Sequence, residues 1–181
     1  MTKSVCVFCG SRDGNLPEFQ EIANELGRSL AKKGINLVYG GGQVGLMGRL
    51  ARAALKEGGH VTGIIPEFLN KREIRFDEVS QVIETKTLRD RIKQMEQRSD
   101  AFIVLPGGIG TLDELMQMFT MNLLKQQNKP IYIINLNGFW DPFFTMMDAF
   151  ENAGFIYPGS RDLLKVCATL DDVMMELETE T

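Results

Sequence analysis

Leu105-Pro106-Gly107-Gly108-Ile109-Gly110-Thr111-Leu112-Asp113-Glu114 sits between two apolar segments of different period. Before it, Ala101-Phe102-Ile103-Val104 is a continuous apolar run of strand length. After it, Leu115, Met116, Met118 and Phe119 cluster as the core-facing side of a helix. A strand, a glycine turn and a helix opening aim backbone N–H groups and the positive end of the helix dipole at one point, where an anion can sit. Gly107, Gly108 and Gly110 let that backbone pass close to a phosphate. The Gly-Lys-Ser/Thr ending of a triphosphate loop is absent. Glu114 follows within a turn of helix, where its carboxylate is free for chemistry on the rest of a ligand. Thr111-Leu112-Asp113-Glu114 also fits a capping box, in which Thr111 and Glu114 satisfy each other's backbone donors. Both readings of Glu114 stand on these residues.

Size and composition narrow the function classes. The 181 residues, 44% of them hydrophobic, suffice for one sizeable core and are expected to form a single domain. The net charge of −4 comes from 20 basic and 24 acidic side chains mixed along the chain, which argues against nucleic acid or an anionic membrane as partner. No apolar run approaches bilayer length and no signal peptide is read at Met1-Thr2-Lys3-Ser4, so a cytoplasmic protein is expected. His60 is the one histidine, which leaves no multi-histidine metal site, and no metal or cofactor is expected. Cys6 and Cys9 have redox-motif spacing. On a strand, however, positions three apart face opposite ways, so they read as packing thiols.

The rest of the chain alternates in the same manner. Residues 4–9, 35–39, 61–65, 82–83, 101–105 and 131–134 read as strands. Residues 16–33, about 45–56, 87–98, a segment opened by Gly110 and Thr111, 141–152 and 171–178 read as helices. Pro66 is expected to break its strand, and residues 67–80 to form a loop or lid near the site. This alternation predicts an α/β, Rossmann-like, doubly wound parallel sheet with helices on both faces. Gly10-Ser11, the run from Gly40 to Gly45 and Gly107 to Gly110 all fall at carboxyl ends of predicted strands. Three such turns imply one ligand pocket.

Gly40, Gly42 and Gly45 match the glycine spacing of a dinucleotide fingerprint, but they follow the second strand, and no acidic residue ends the next one. One nucleoside monophosphate fits better than a nicotinamide cofactor. In the helix over 87–98, Leu88, Ile92 and Met95 mark an apolar face, and Arg91 lies in or beside it. Arg91 either reaches a ligand or lays its stem on the core with its head in water.

Pro106 to Glu114 resembles the PGGxGTxxE signature of the LOG ("Lonely Guy") family, cytokinin riboside 5′-monophosphate phosphoribohydrolases often mislabelled lysine decarboxylases. The resemblance continues through Val7-Phe8-Cys9-Gly10-Ser11, Leu37 to Gly42, Gly45-Leu46-Met47-Gly48, Gly63-Ile64-Ile65-Pro66 and Ser99-Asp100-Ala101-Phe102. It implies hydrolysis of the N-glycosidic bond of a nucleoside 5′-monophosphate, either AMP or a cytokinin riboside 5′-monophosphate, releasing free base and ribose 5-phosphate. It places the catalytic pair on Arg91 and Glu114. It gives the 5′-phosphate to the turns holding Gly10 and Ser11, Gly41 and Gly42, and Gly107, Gly108, Ile109, Gly110 and Thr111. It implies a homodimer with active sites close to the subunit interface. The chain departs from the family pattern at Ile92, at Leu88-Arg89, and at Met121 and Leu123. A non-catalytic carrier of the same fold, such as a molybdenum-cofactor carrier, is the alternative.

Overall fold

Strands form here because short apolar runs are buried on both sides, and each side belongs to a different layer. In β1 (Ser4–Phe8), Val5 and Val7 pack into one hydrophobic cluster while Cys6 and Phe8 pack into another. β5 (Ala101–Val104) and β6 (Ile131–Ile134) divide in the same way, with Ile103 and Tyr132 on the first side and Phe102 and Ile133 on the second. Period-two alternation between two apolar layers is what a parallel sheet covered on both faces requires. The computed structural model describes residues 3–69 and 75–179.

The remaining strands are β2 (Asn36–Tyr39), β3 (Val61–Pro66), β4 (Gln81–Thr85) and β7 (Leu164–Cys167). All pair in parallel in the order β4-β3-β2-β1-β5-β6-β7. On the face of Val5 and Val7 lie α1 (Pro17–Lys32), α2 (Gly45–Lys56) and α6 (Leu170–Thr179). On the face of Cys6 and Phe8 lie α3 (Leu88–Gln97), α4 (Ile109–Leu123) and α5 (Asp141–Asn152). The doubly wound sheet expected from the sequence is therefore the fold. The chain winds outward from β1 to β4, returns to place β5 beside β1, and winds outward the other way. The reversal opens a crevice at the carboxyl ends of β1 and β5, where such sheets bind ligands.

Three local expectations need correction. Pro66 does not break β3 but closes it, paired with Thr85. It lies beyond the last β2 partner, Tyr39 opposite Gly63, so its missing N–H removes no bond on that side. β4 runs over five residues, and β7 was not expected at all. As an edge strand carrying Lys165 and the half-exposed Val166, β7 shows no continuous apolar run. Of the stretch expected as a loop or lid, residues 70–74 lie outside the described residues. Residues 75–80 are anchored: Phe76 donates its amide to the Gly41 carbonyl at 3.0 Å, and Phe76 and Val79 are buried in the core. Among the described residues no helix is long and apolar enough to cross a membrane.

Candidate active site

The loops after β1 and β5 are bonded to each other before they form anything else. Leu105 donates its amide to the Phe8 carbonyl at 3.0 Å, and Gly10 donates to the Pro106 carbonyl at 3.1 Å. Gly10 has no room for a side chain, since a Cβ there would lie 3.0 Å from the Arg12 carbonyl oxygen and 3.6 Å from Gly107 Cα. Between these loops lies a cavity of about 590 Å³, of a size that holds a small organic ligand.

One wall of the cavity is the N-terminus of α4. Its N-cap, Gly108, carries no side chain to accept a bond, and the first turn-closing bond is the Leu112 amide to the Gly108 carbonyl at 3.0 Å. The amides of Ile109, Gly110 and Thr111 precede that bond, where a helix has no internal acceptor to offer. A Cβ on Gly108 or Gly110 would meet no protein atom within 4 Å. Gly107 is constrained on its other side, because a Cβ there would run into the Thr111 side chain. The helix start also removes the capping-box reading. Thr111 is the third residue inside α4, buried against Gly107, and Glu114 is buried at the cavity rather than turned back to a helix end.

Arg91, from α3, also lines the cavity. Thr87 caps α3, accepting from the Asp90 amide at 3.1 Å. The inward residues are then Arg91, Ile92 and Met95, while Leu88, expected on the apolar face, is half exposed. Arg91 does not send its head to water. Its Nη2 lies 3.2 Å from the Gly40 carbonyl and 3.3 Å from Glu114 Oε1, with both side chains about nine-tenths buried. Gly40 makes this possible: a Cβ there would collide with the guanidinium and lie 2.7 Å from Met47 Sδ. Among the described residues, buried Arg91 Nε has no hydrogen-bond partner, which leaves an unspent donor beside the cavity.

Cys9 also lines the cavity, but burial and then the Glu114 charge push its thiol far above the usual range. Cys6 is raised by the same two causes, and all three cysteines are free and buried. A protonated, enclosed thiol is no nucleophile. The packing role read from the sequence agrees, with Cys6 and Cys9 in opposite layers.

Arg91, Glu114, Gly10, Ser11, Gly107, Gly108, Ile109, Gly110 and Thr111 all line this one cavity. Gly41 and Gly42 do not. Gly41, at φ +78°, is wedged on β3, where a Cβ would lie 2.9 Å from Ile65 Cβ; Gly42 pairs with Arg75. Gly40, from the second glycine turn, lines the cavity, and so do Arg12, Asn15 and Phe139, which had not been singled out. Arg12 follows Ser11 directly and was within reach of the same signal. Phe139 was not, because it arrives from beyond β6 and stacks edge-on against Phe19 with ring centres 5.5 Å apart.

Comparison with known proteins bears on this geometry. Residues 47–177 match the family model described as "possible lysine decarboxylase". The rice (Oryza sativa subsp. japonica) cytokinin riboside 5′-monophosphate phosphoribohydrolase LOG is 39% identical over 97% of this chain and 73% of its own length. A relative of the same activity name from Arabidopsis thaliana is 39% identical, over 97% of this chain and 81% of its own. The molybdenum cofactor carrier protein of Chlamydomonas reinhardtii superposes with a TM-score of 0.74 over 99% of this chain and 97% of its own. At 21% identity that likeness speaks for the fold alone. Fold, signature turn and sequence match over nearly the whole length agree, and the chain belongs to the LOG family.

Proposed function

We propose that the protein hydrolyses the N-glycosidic bond of a nucleoside 5′-monophosphate, AMP or a cytokinin riboside 5′-monophosphate, to free base and ribose 5-phosphate. The observation that carries this reading is the buried Arg91–Glu114 pair lining the same cavity as an uncapped helix N-terminus. Breaking the bond between C1′ and the base nitrogen leaves positive charge on the ribose, and a fixed carboxylate stabilises it electrostatically. Water adds its oxygen to C1′ and keeps one proton as the new hydroxyl, while its other proton ends on the base nitrogen that takes the electrons of the broken bond. Glu114 serves as that carboxylate, aimed by its ion pair with Arg91, while the amides of Ile109, Gly110 and Thr111 hold the phosphate. Among the described residues no lysine lines the cavity, so a lysine decarboxylase would lack a Schiff-base nucleophile there. The family resemblance also points to a homodimer, for which sedimentation at micromolar concentration is the check.

The test is release of free base from AMP and from isopentenyladenosine monophosphate, followed by chromatography. Glu114→Gln keeps the side chain's length and removes its charge, and is expected to lower turnover at least about 100-fold, some 2.7 kcal/mol of transition-state stabilisation. Full turnover in folded Glu114→Gln removes Glu114 from the mechanism. The ratio of the two wild-type rates decides the base preference.

A further inference from the structure

Counting charge around the cavity leaves one cation over. Among the described residues, the charged groups lining it are Arg12, Arg91 and Glu114. Arg91 and Glu114 are committed to each other. A phosphate monoester near neutral pH carries about −1.5 to −2 charges. A helix N-terminus answers with only about half a positive charge. Most of the charge on a bound phosphate is therefore unmatched unless Arg12 answers it.

Arg12 is placed and left available for that. Its side chain is exposed at the cavity and makes no ion pair within the described residues. The obvious competitor is its neighbour Asp13, but that carboxylate is taken. Arg49 Nε donates to Asp13 Oδ1 at 2.7 Å, and Nη2 donates to Oδ2 at 3.2 Å. A two-pronged grip of this kind holds a carboxylate in a fixed orientation. The backbone beneath Arg12 is also held. Gly45, at φ +62°, abuts Ser11 and Arg12 so closely that a Cβ there would lie 2.5 Å from the Arg12 amide nitrogen. The loop cannot retreat in that direction.

We propose that Arg12 selects phosphorylated over unphosphorylated ligands in this cavity, and that Arg49 keeps Arg12 available by occupying Asp13. Arg12 is then a binding residue and Arg49 a positioning residue that touches no ligand. The inference rests on the nucleotide reading above, but its consequences for binding can be measured without turnover.

The experiment uses calorimetric binding of ribose 5-phosphate together with AMP kinetics. Arg12→Gln is expected to weaken ribose 5-phosphate at least about tenfold, the loss of one charge-assisted contact, and Arg12→Lys to recover part of it. The KM for AMP rises correspondingly while kcat falls less than about threefold, because the lost contact is present in ground and transition states alike. Arg49→Met releases Asp13 to pair with Arg12 and weakens ribose 5-phosphate by about threefold or more. Asp13→Asn combined with Arg49→Met restores it, which a merely structural role for Arg49 would not do. Unchanged affinity in Arg12→Gln overturns the assignment of Arg12, and failure of the double variant to restore binding overturns that of Arg49. If the wild type binds ribose 5-phosphate in an Arg12-dependent way yet cleaves no nucleotide, the hydrolase reading falls and Arg12 stands. If the wild type cleaves AMP and Arg12→Gln does so with an unchanged KM, Arg12 falls and the hydrolase stands. A wild type that binds no ribose 5-phosphate overturns the assignment of Arg12, and base release from AMP alone then decides the hydrolase reading.

Discussion

Two glycine-rich turns in this molecule look alike on paper and do opposite things. Each follows a buried strand and opens a helix whose N-cap offers no side-chain acceptor: Gly40 to Gly45 before α2, and Gly107 to Gly110 before α4. The first is filled with protein. Met47 donates its amide to the Gly10 carbonyl at 3.3 Å, so a neighbouring loop occupies the start of α2. Gly41 presses on β3, Gly45 on the loop after β1, and Gly40 on the Arg91 guanidinium. The second is open, since at Gly108 and Gly110 an added Cβ would meet nothing. Glycine serves close packing in one turn and ligand access in the other. What separates them is whether another part of the chain or empty space lies against the missing Cβ.

Alanine substitutions at the two turns sharpen or break this contrast. Gly45→Ala forces a Cβ into the backbone of Ser11 and Arg12 at a left-handed φ, and is expected to cost about 2–4 kcal/mol. Thermal unfolding would show that as a fall in Tm of roughly 5–15 °C. A shift under about 1 °C would mean that the turn is as open as its counterpart. Gly108→Ala has neither clash nor left-handed φ, so its stability should stay within about 0.5 kcal/mol of wild type. Its affinity for ribose 5-phosphate should nevertheless fall about tenfold, because the methyl keeps the anion away from the α4 amides. A Gly108→Ala protein with weakened folding and full affinity would reverse the roles of the two turns.

The smallest effect comes from acid. Asp13 joins the loop after β1 to α2, and the hydrogen bond from Arg49 holds its carboxyl below the ordinary value of 3.8. A lowered folded-state value means stability that is present above the unfolded value and lost as pH falls through the folded one. Wild type and Asp13→Asn should therefore differ by a constant amount above about pH 5 and converge below 3.8. Because the pair is partly exposed, the gap should shrink in high salt. A difference that grows toward acid would show that Asp13 is not held by Arg49.

Much of the architecture was legible because it rests on local pattern. Residues 131–134 and 141–152 fall on β6 and α5 with no shift, since an unbroken apolar run and a proline in the first helical turn are decisive without tertiary context. β7 was not legible, because an edge strand needs apolar residues on one side only and its alternation is too short to stand out. In the site, Arg91 shows how far pattern reaches. Spacing put it beside the apolar face of α3 but left its head free to go to a ligand or to water.

The sequence by itself determined the order and kind of the elements from β1 to α5 and the doubly wound sheet, because strand period, helix period and turn chemistry act over a few residues. Only the tertiary structure decided that Arg91 turns inward to Glu114, that Gly41 and Gly42 serve the core, and that Asp13 is taken by Arg49. Each of those outcomes depends on which distant segment lies across the gap, and close packing leaves room for only one occupant.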